Sequence, residues 1–110
     1  PYSQAIEVND TLYISGQIPV NPENGKVDAL TIEQQAEQVL QNIGAILQAA
    51  GYGYSDVVKS TIFITDMKNF SAVNEVYKKY YTEKFPARST LAVKELPLGV
   101  MVEIETIAVK

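Results

Sequence analysis

Arg88 is the first residue whose type suggests chemistry. The chain carries nine basic residues, and Arg88 is the single arginine among them. Its planar fork grips a carboxylate through two parallel hydrogen bonds, which a lysine ammonium cannot do. A chain that uses lysine everywhere else and arginine here points to a small carboxylic acid as ligand. The alternative role is a surface ion pair, which contributes little to stability. The second candidate is a carboxylate on the last β-type run, Val100 to Val109. Alternation sets Val100, Val102, Ile104, Thr106 and Ala108 on one face and Met101, Glu103, Glu105, Ile107 and Val109 on the other. Either the second face is the solvent side of a sheet, or one glutamate sits in a cleft where desolvation makes it a usable base near neutral pH.

What the chain lacks narrows the chemistry further. It has no His, Cys or Trp. A Ser–His–Asp triad, a Cys–His dyad, an HExxH zinc site and a disulfide framework are all excluded. Ser15 and Ser89 have no histidine to activate them. The net charge of −4, with lysines dispersed, disfavours nucleic acid and anionic membrane as partners. No apolar run reaches membrane-span length, and the cytosol is the default compartment. Gly51-Tyr52-Gly53-Tyr54 follows a helix rather than a strand, so dinucleotide binding is not expected. Tyr77, Tyr80 and Tyr81 read as the core and rim of a helix face.

A scaffold of one domain, residues 1–110, must position Arg88 and the carboxylates of the last strand. Residues 5–8 and 11–15 read as strands around the turn Asn9-Asp10. Thr31 with Gln34 forms a capping box for a helix over about 32–50, and Gly51 suits its end. Ile32, Ala36, Val39, Leu40, Ile43, Leu47 and Ala50 form its apolar stripe, with Gln35, Gln38, Gln41 and Gln48 largely off it. A strand over 57–65, a second helix over roughly 69–83 ended by Pro86, and strands over 89–93 and 100–109 complete the order β β α β α β β. The helical crossovers imply parallel neighbours and the flanking hairpins antiparallel ones. The class is α+β: one mixed sheet with two helices on one face.

Taken in order, Pro1-Tyr2-Ser3-Gln4-Ala5, Ser15-Gly16-Gln17-Ile18-Pro19, Thr61 to Met67, Val73-Asn74-Glu75-Val76-Tyr77, Pro86-Ala87-Arg88-Ser89 and Val102-Glu103-Ile104-Glu105 resemble the RidA/YjgF family. The likeness runs in register from residue 2 to 109. It implies a chorismate-mutase-like fold and a homotrimer with a barrel-like core and active sites in clefts between subunits. It also implies hydrolysis of reactive 2-imino or enamine acids, such as 2-iminobutanoate and 2-iminopropanoate, to 2-keto acids and ammonia, with no cofactor and no metal. Carried over by position, Arg88 would hold the substrate carboxylate and Glu103 would activate water. Tyr2 would line the pocket, Ser15 and Gly16 would supply polar groups and close backbone approach, Asn74 would serve from the helix, and the backbone at Thr90 would bond ligand or water. Glu105 points to the same side as Glu103 without being the base. A non-enzymatic regulator or holdase using the same cleft is the alternative, and a ribonuclease role fits the acidic balance poorly. Many members carry Cys where this chain has Thr90, several bacterial members are longer between Tyr81 and Pro86, and the family usually has a further strand ahead of Pro1-Tyr2.

Overall fold

The computed structural model describes residues 1–110. The chain opens with a hairpin of β1 (Ala5–Val8) and β2 (Thr11–Gln17), Val8 facing Thr11. Asn9 and Asp10 between them have φ of 48° and 63°. This is the doubly left-handed geometry of a two-residue turn, which Asn and Asp tolerate. Helix α1 (Ile32–Ala49) starts at the expected capping box: Thr31 Oγ1 accepts from the Gln34 N–H, and Gln34 Oε1 accepts from the Thr31 N–H. It ends with Gly51 at φ 84°, the Gly51 N–H donating to Gln48 O and the Tyr52 N–H to Leu47 O. Those two bonds satisfy carbonyls that a helix end would otherwise leave open.

The remaining elements are β3 (Val57–Ile64), α2 (Phe70–Tyr77), β4 (Ala87–Ala92) and β5 (Val102–Val109). They form one mixed sheet in the order β1-β2-β5-β3-β4. β5 is antiparallel to β2 and β3, while β4 is parallel to β3. Two sequence expectations change here. β2 and β3 are not neighbours, because β5 lies between them. β4 and β5 do not form a hairpin, because β5 passes beyond β4 to the centre of the sheet. The driving force is burial. Val102, Ile104, Thr106 and Ala108 are all buried on one face of β5, and only a central position under the helices covers so long an apolar face.

Helix α2 is also shorter than its periodicity suggests, ending at Tyr77 rather than near residue 83. Past Tyr77 the bonds tighten to three-residue turns, Lys79 N–H to Val76 O and Tyr80 N–H to Tyr77 O. The chain thereby turns Tyr81 into the core, where it is 2% exposed and stands edge-on to Tyr54. Packing of one large ring overrides helical spacing. Gln35, expected off the apolar stripe, is buried. Its amide donates to Ala29 O and accepts from the Met101 N–H, so both ends are satisfied.

The core lies between one face of the sheet and both helices. Leu12, Ile14, Ile62, Ile64, Val102 and Ile104 meet Val39, Leu40, Ile43 and Leu47 of α1 and Val73, Val76 and Tyr77 of α2. Each fully buried aliphatic side chain contributes roughly 1.5–3 kcal/mol. No element covers the opposite face of the sheet, which exposes Ile6, Val8, Tyr13, Leu91 and Val109.

Candidate functional site

Arg88 stands on β4, an edge strand, opposite Ser60 of β3. Ser60 is buried on the helix-side face, and cross-strand partners share a face. Arg88 therefore points beneath α2. There its Nη1 donates to Asn74 Oδ1 at 2.7 Å, and its Cζ lies 4.9 Å from the Tyr77 ring centre and 5.5 Å from that of Phe70. No carboxylate pairs with it. The ion pairs of the protein are Lys78–Glu75 and Lys79–Glu37, so Arg88 is not the surface ion-pair arginine that the sequence left open. An open cleft of about 390 Å³ reaches it, walled by Lys78, Phe85 and Pro86. Thr90 lies two residues along on the same face. The Val93 N–H donates inward to Ile64 O. By the period of two in a parallel ladder, the Thr90 N–H and C=O turn to the free edge of the sheet.

Glu103 stands on β5 opposite Phe63, on the face without helices. Its surroundings are shaped by a β-bulge: Ile14 faces Thr106 and Gln17 faces Ile104, so Ser15 and Gly16 together oppose Glu105. A side chain at Gly16 would overlap the Glu103 carboxylate. Glycine leaves room for that carboxylate, and a Cβ here would push the Glu103 side chain aside. Glu103 is half-buried, and its pKa is pushed above the ordinary glutamate value, first by burial and second by the charge of Glu105. Ser15 Oγ donates to Ser3 O at 2.6 Å and the Ser15 N–H to Gln4 O at 3.0 Å. These bonds tie the segment carrying Tyr2 to the bulge. Tyr2 and Gly16 line an open cleft of about 490 Å³ that runs along α1 past Asn42 and Ile46.

The site residues expected from the sequence thus fall into two groups. Asn74, Arg88 and Thr90 gather at the α2–β4 edge. Gly16 and Glu103 meet at the bulge of β2 and Ser15 is tied to the Tyr2 segment, but Tyr2 and Gly16 line the cleft along α1, which Glu103 does not line. Arg88 and Glu103 point to opposite faces of the sheet and line no common cleft within the chain. Sequence reasoning did not assign Phe70 and Tyr77 to the surroundings of Arg88, although the spacing Phe70, Asn74, Tyr77 marks one helix face. The bulge at Ser15-Gly16 carried no sequence signal beyond the glycine.

The family model described as Endoribonuclease L-PSP matches residues 1–110, spanning both groups. The chain belongs to the RidA/YjgF family. It is 49% identical to the 2-iminobutanoate/2-iminopropanoate deaminase of Capra hircus, over all of this chain and 80% of that one. Among solved structures, the Rid-family protein YyfA of Yersinia pestis is 52% identical with a TM-score of 0.97, covering 100% of this chain and 88% of its own. Escherichia coli TdcF, solved with bound serine, is 42% identical with a TM-score of 0.95 and the same coverage. The mixed five-strand sheet with two helices is the fold of these RidA relatives.

Proposed function

We propose that this chain hydrolyses reactive 2-imino acids of the 2-iminobutanoate and 2-iminopropanoate class to 2-keto acids and ammonia. The site would form where the Arg88 group of one subunit meets the Glu103 group of the next in a homotrimer. The observation that carries this is the state of Arg88: partly buried, held by Asn74 and two aromatic rings, and paired with no carboxylate of its own chain. Such a guanidinium is prepared for an anion from outside, and a substrate carboxylate fits its fork. The 49% identical goat relative is named for this reaction, and TdcF was solved with an amino acid.

The chemistry needs three things from the protein: a carboxylate clamp, a held water and a base. Arg88 anchors the substrate. Glu103, its pKa raised, takes a proton from water as the oxygen attacks the imine carbon. The resulting carbinolamine collapses to the carbonyl, and the imine nitrogen leaves as ammonia with the transferred protons. One water is consumed per ammonia released, with no electron transfer. Glu103 needs room for its carboxylate beside the backbone, which Gly16 supplies. Thr90, with its backbone groups at an open edge, offers a hydrogen bond to ligand or water without needing a thiol.

The trimer is supported by the uncovered sheet face. Ile6, Val8, Tyr13, Val58, Leu91 and Val109 are each between 41% and 51% exposed, a concentration of apolar surface that marks an interface. The family description as an endoribonuclease suggests RNA, but a net charge of −4 disfavours a polyanionic partner. No helix is long and apolar enough to cross a membrane.

The test is imine lifetime. Imine generated from an amino acid by an oxidase is trapped with semicarbazide, with and without the protein. The wild type shortens imine lifetime, and Arg88→Ala and Glu103→Gln each lose on the order of 10²-fold or more in kcat/KM. Glu103→Gln still binds 2-oxobutanoate. An unchanged imine lifetime with intact binding favours the non-enzymatic acid-binding role instead.

A further inference from the structure

We propose that Tyr77, with Phe70 beside it, is a positioning residue that fixes the Arg88 guanidinium and so sets the affinity for the substrate carboxylate. The proposal rests on Arg88 being the carboxylate clamp. The three groups that touch the guanidinium, Phe70, Asn74 and Tyr77, come from one face of α2 at spacings of four and three. Both ring centres are within cation–π range. Asn74 occupies one guanidinium nitrogen, and the rings restrict the tilt of its plane. An arginine side chain free in solvent must lose its rotamer freedom when it binds an anion, and one already held does not.

Tyr77 is itself held from beneath by packing rather than by its hydroxyl. It is 5% exposed, with its ring centre 4.4 Å from that of Tyr81. Its hydroxyl ends in a buried group: Ser60 faces the hydroxyls of Tyr77 and Tyr81, and Thr106 faces that of Tyr81. None of these four hydroxyls makes a well-formed hydrogen bond within the protein. Ser60 is the cross-strand partner of both Arg88 and Thr106. The row Thr106–Ser60–Arg88 therefore runs under α2 and seats the Tyr77 ring beside the guanidinium. The ring, and not the phenol oxygen, is the part that acts.

The experiment measures KM and kcat for 2-iminobutanoate generated in situ, and the Kd of 2-oxobutanoate, in Arg88→Ala, Tyr77→Leu, Tyr77→Phe and Phe70→Leu. A carboxylate held equally in ground and transition state raises KM alone when its clamp loosens. Tyr77→Leu is expected to raise KM and Kd about tenfold with kcat changed less than about threefold, and Tyr77→Phe to restore both. Phe70→Leu moves KM in the same direction and serves if Tyr77→Leu fails to fold, since Phe70 is only partly buried. If Arg88→Ala loses binding while Tyr77→Leu and Phe70→Leu keep wild-type KM, the positioning role is overturned and the clamp stands. If Arg88→Ala binds 2-oxobutanoate as the wild type does, the clamp itself fails and the positioning role falls with it.

Discussion

Glu103 and Glu105 show how little separates an exposed carboxylate from a half-buried one with a raised pKa. They stand two residues apart on one strand face, yet Glu105 is exposed and Glu103 is half-buried beside Gly16. Burial and the neighbouring charge both favour the protonated form of Glu103. The sign for stability follows. A carboxyl whose folded pKa exceeds its unfolded value contributes stability below the ordinary glutamate value and loses it as pH rises through the raised one. For the proposed activity the sense is opposite, because Glu103 could act as a base only when ionised. The acid limb of kcat/KM is therefore expected above the ordinary glutamate range. Glu105→Gln removes the repulsive charge and should move that limb toward lower pH, leaving the part due to burial. A pH–rate profile of Glu105→Gln that superimposes on the wild type would show that Glu105 does not act on the base.

At the scale of elements, α1 carries a glycine where a helix former would be expected. Gly44 lies mid-helix, and Ala in its place would gain up to about 1 kcal/mol of propensity. A side chain there would overlap the Tyr54 phenol, whose hydroxyl donates to Leu40 O at 2.7 Å. Tyr54 in turn packs against Tyr80 and Tyr81, the rings that close the end of the α2 segment. Gly44→Ala should therefore destabilise by about 1–3 kcal/mol despite the better propensity, read as a lower denaturant midpoint with unchanged slope. A midpoint at or above that of the wild type would mean that Tyr54 moves aside freely. The boundaries of α1 were legible because Thr31, Gln34 and Gly51 act through local hydrogen bonds. The end of α2 was not, because Tyr81 leaves the helix for contacts distant in sequence.

In the whole molecule the two candidate residues of the proposed chemistry stand apart. Arg88 lies under the helices and Glu103 on the uncovered face, so one chain does not bring them together. If two subunits do, the two inactive variants should complement each other. Arg88→Ala and Glu103→Gln, unfolded together and refolded as a mixture, should recover activity that neither has alone, because some interfaces pair an intact Arg88 with an intact Glu103. A mixture no more active than its components would show that Arg88 and Glu103 do not act together at a shared site. Tyr13→Asp, on the apolar sheet face, should lower the mass in sedimentation and abolish turnover together.

The sequence by itself determined the local and the chemical. The capping box, the Asn9-Asp10 turn, the two-residue alternation of β5 and the lone Arg88 all depend on residues near one another in the chain. The exclusion of histidine and cysteine chemistry follows from composition alone, and the in-register likeness led to the family. Only the tertiary structure decided that β5 would enter the middle of the sheet, that Ser15-Gly16 would bulge to admit the Glu103 carboxylate, and that Tyr77 would lie against Arg88. It also set Arg88 and Glu103 on opposite faces of the sheet. These outcomes are set by burial and by contacts between segments far apart in sequence, where packing and cross-strand register outweigh any local preference.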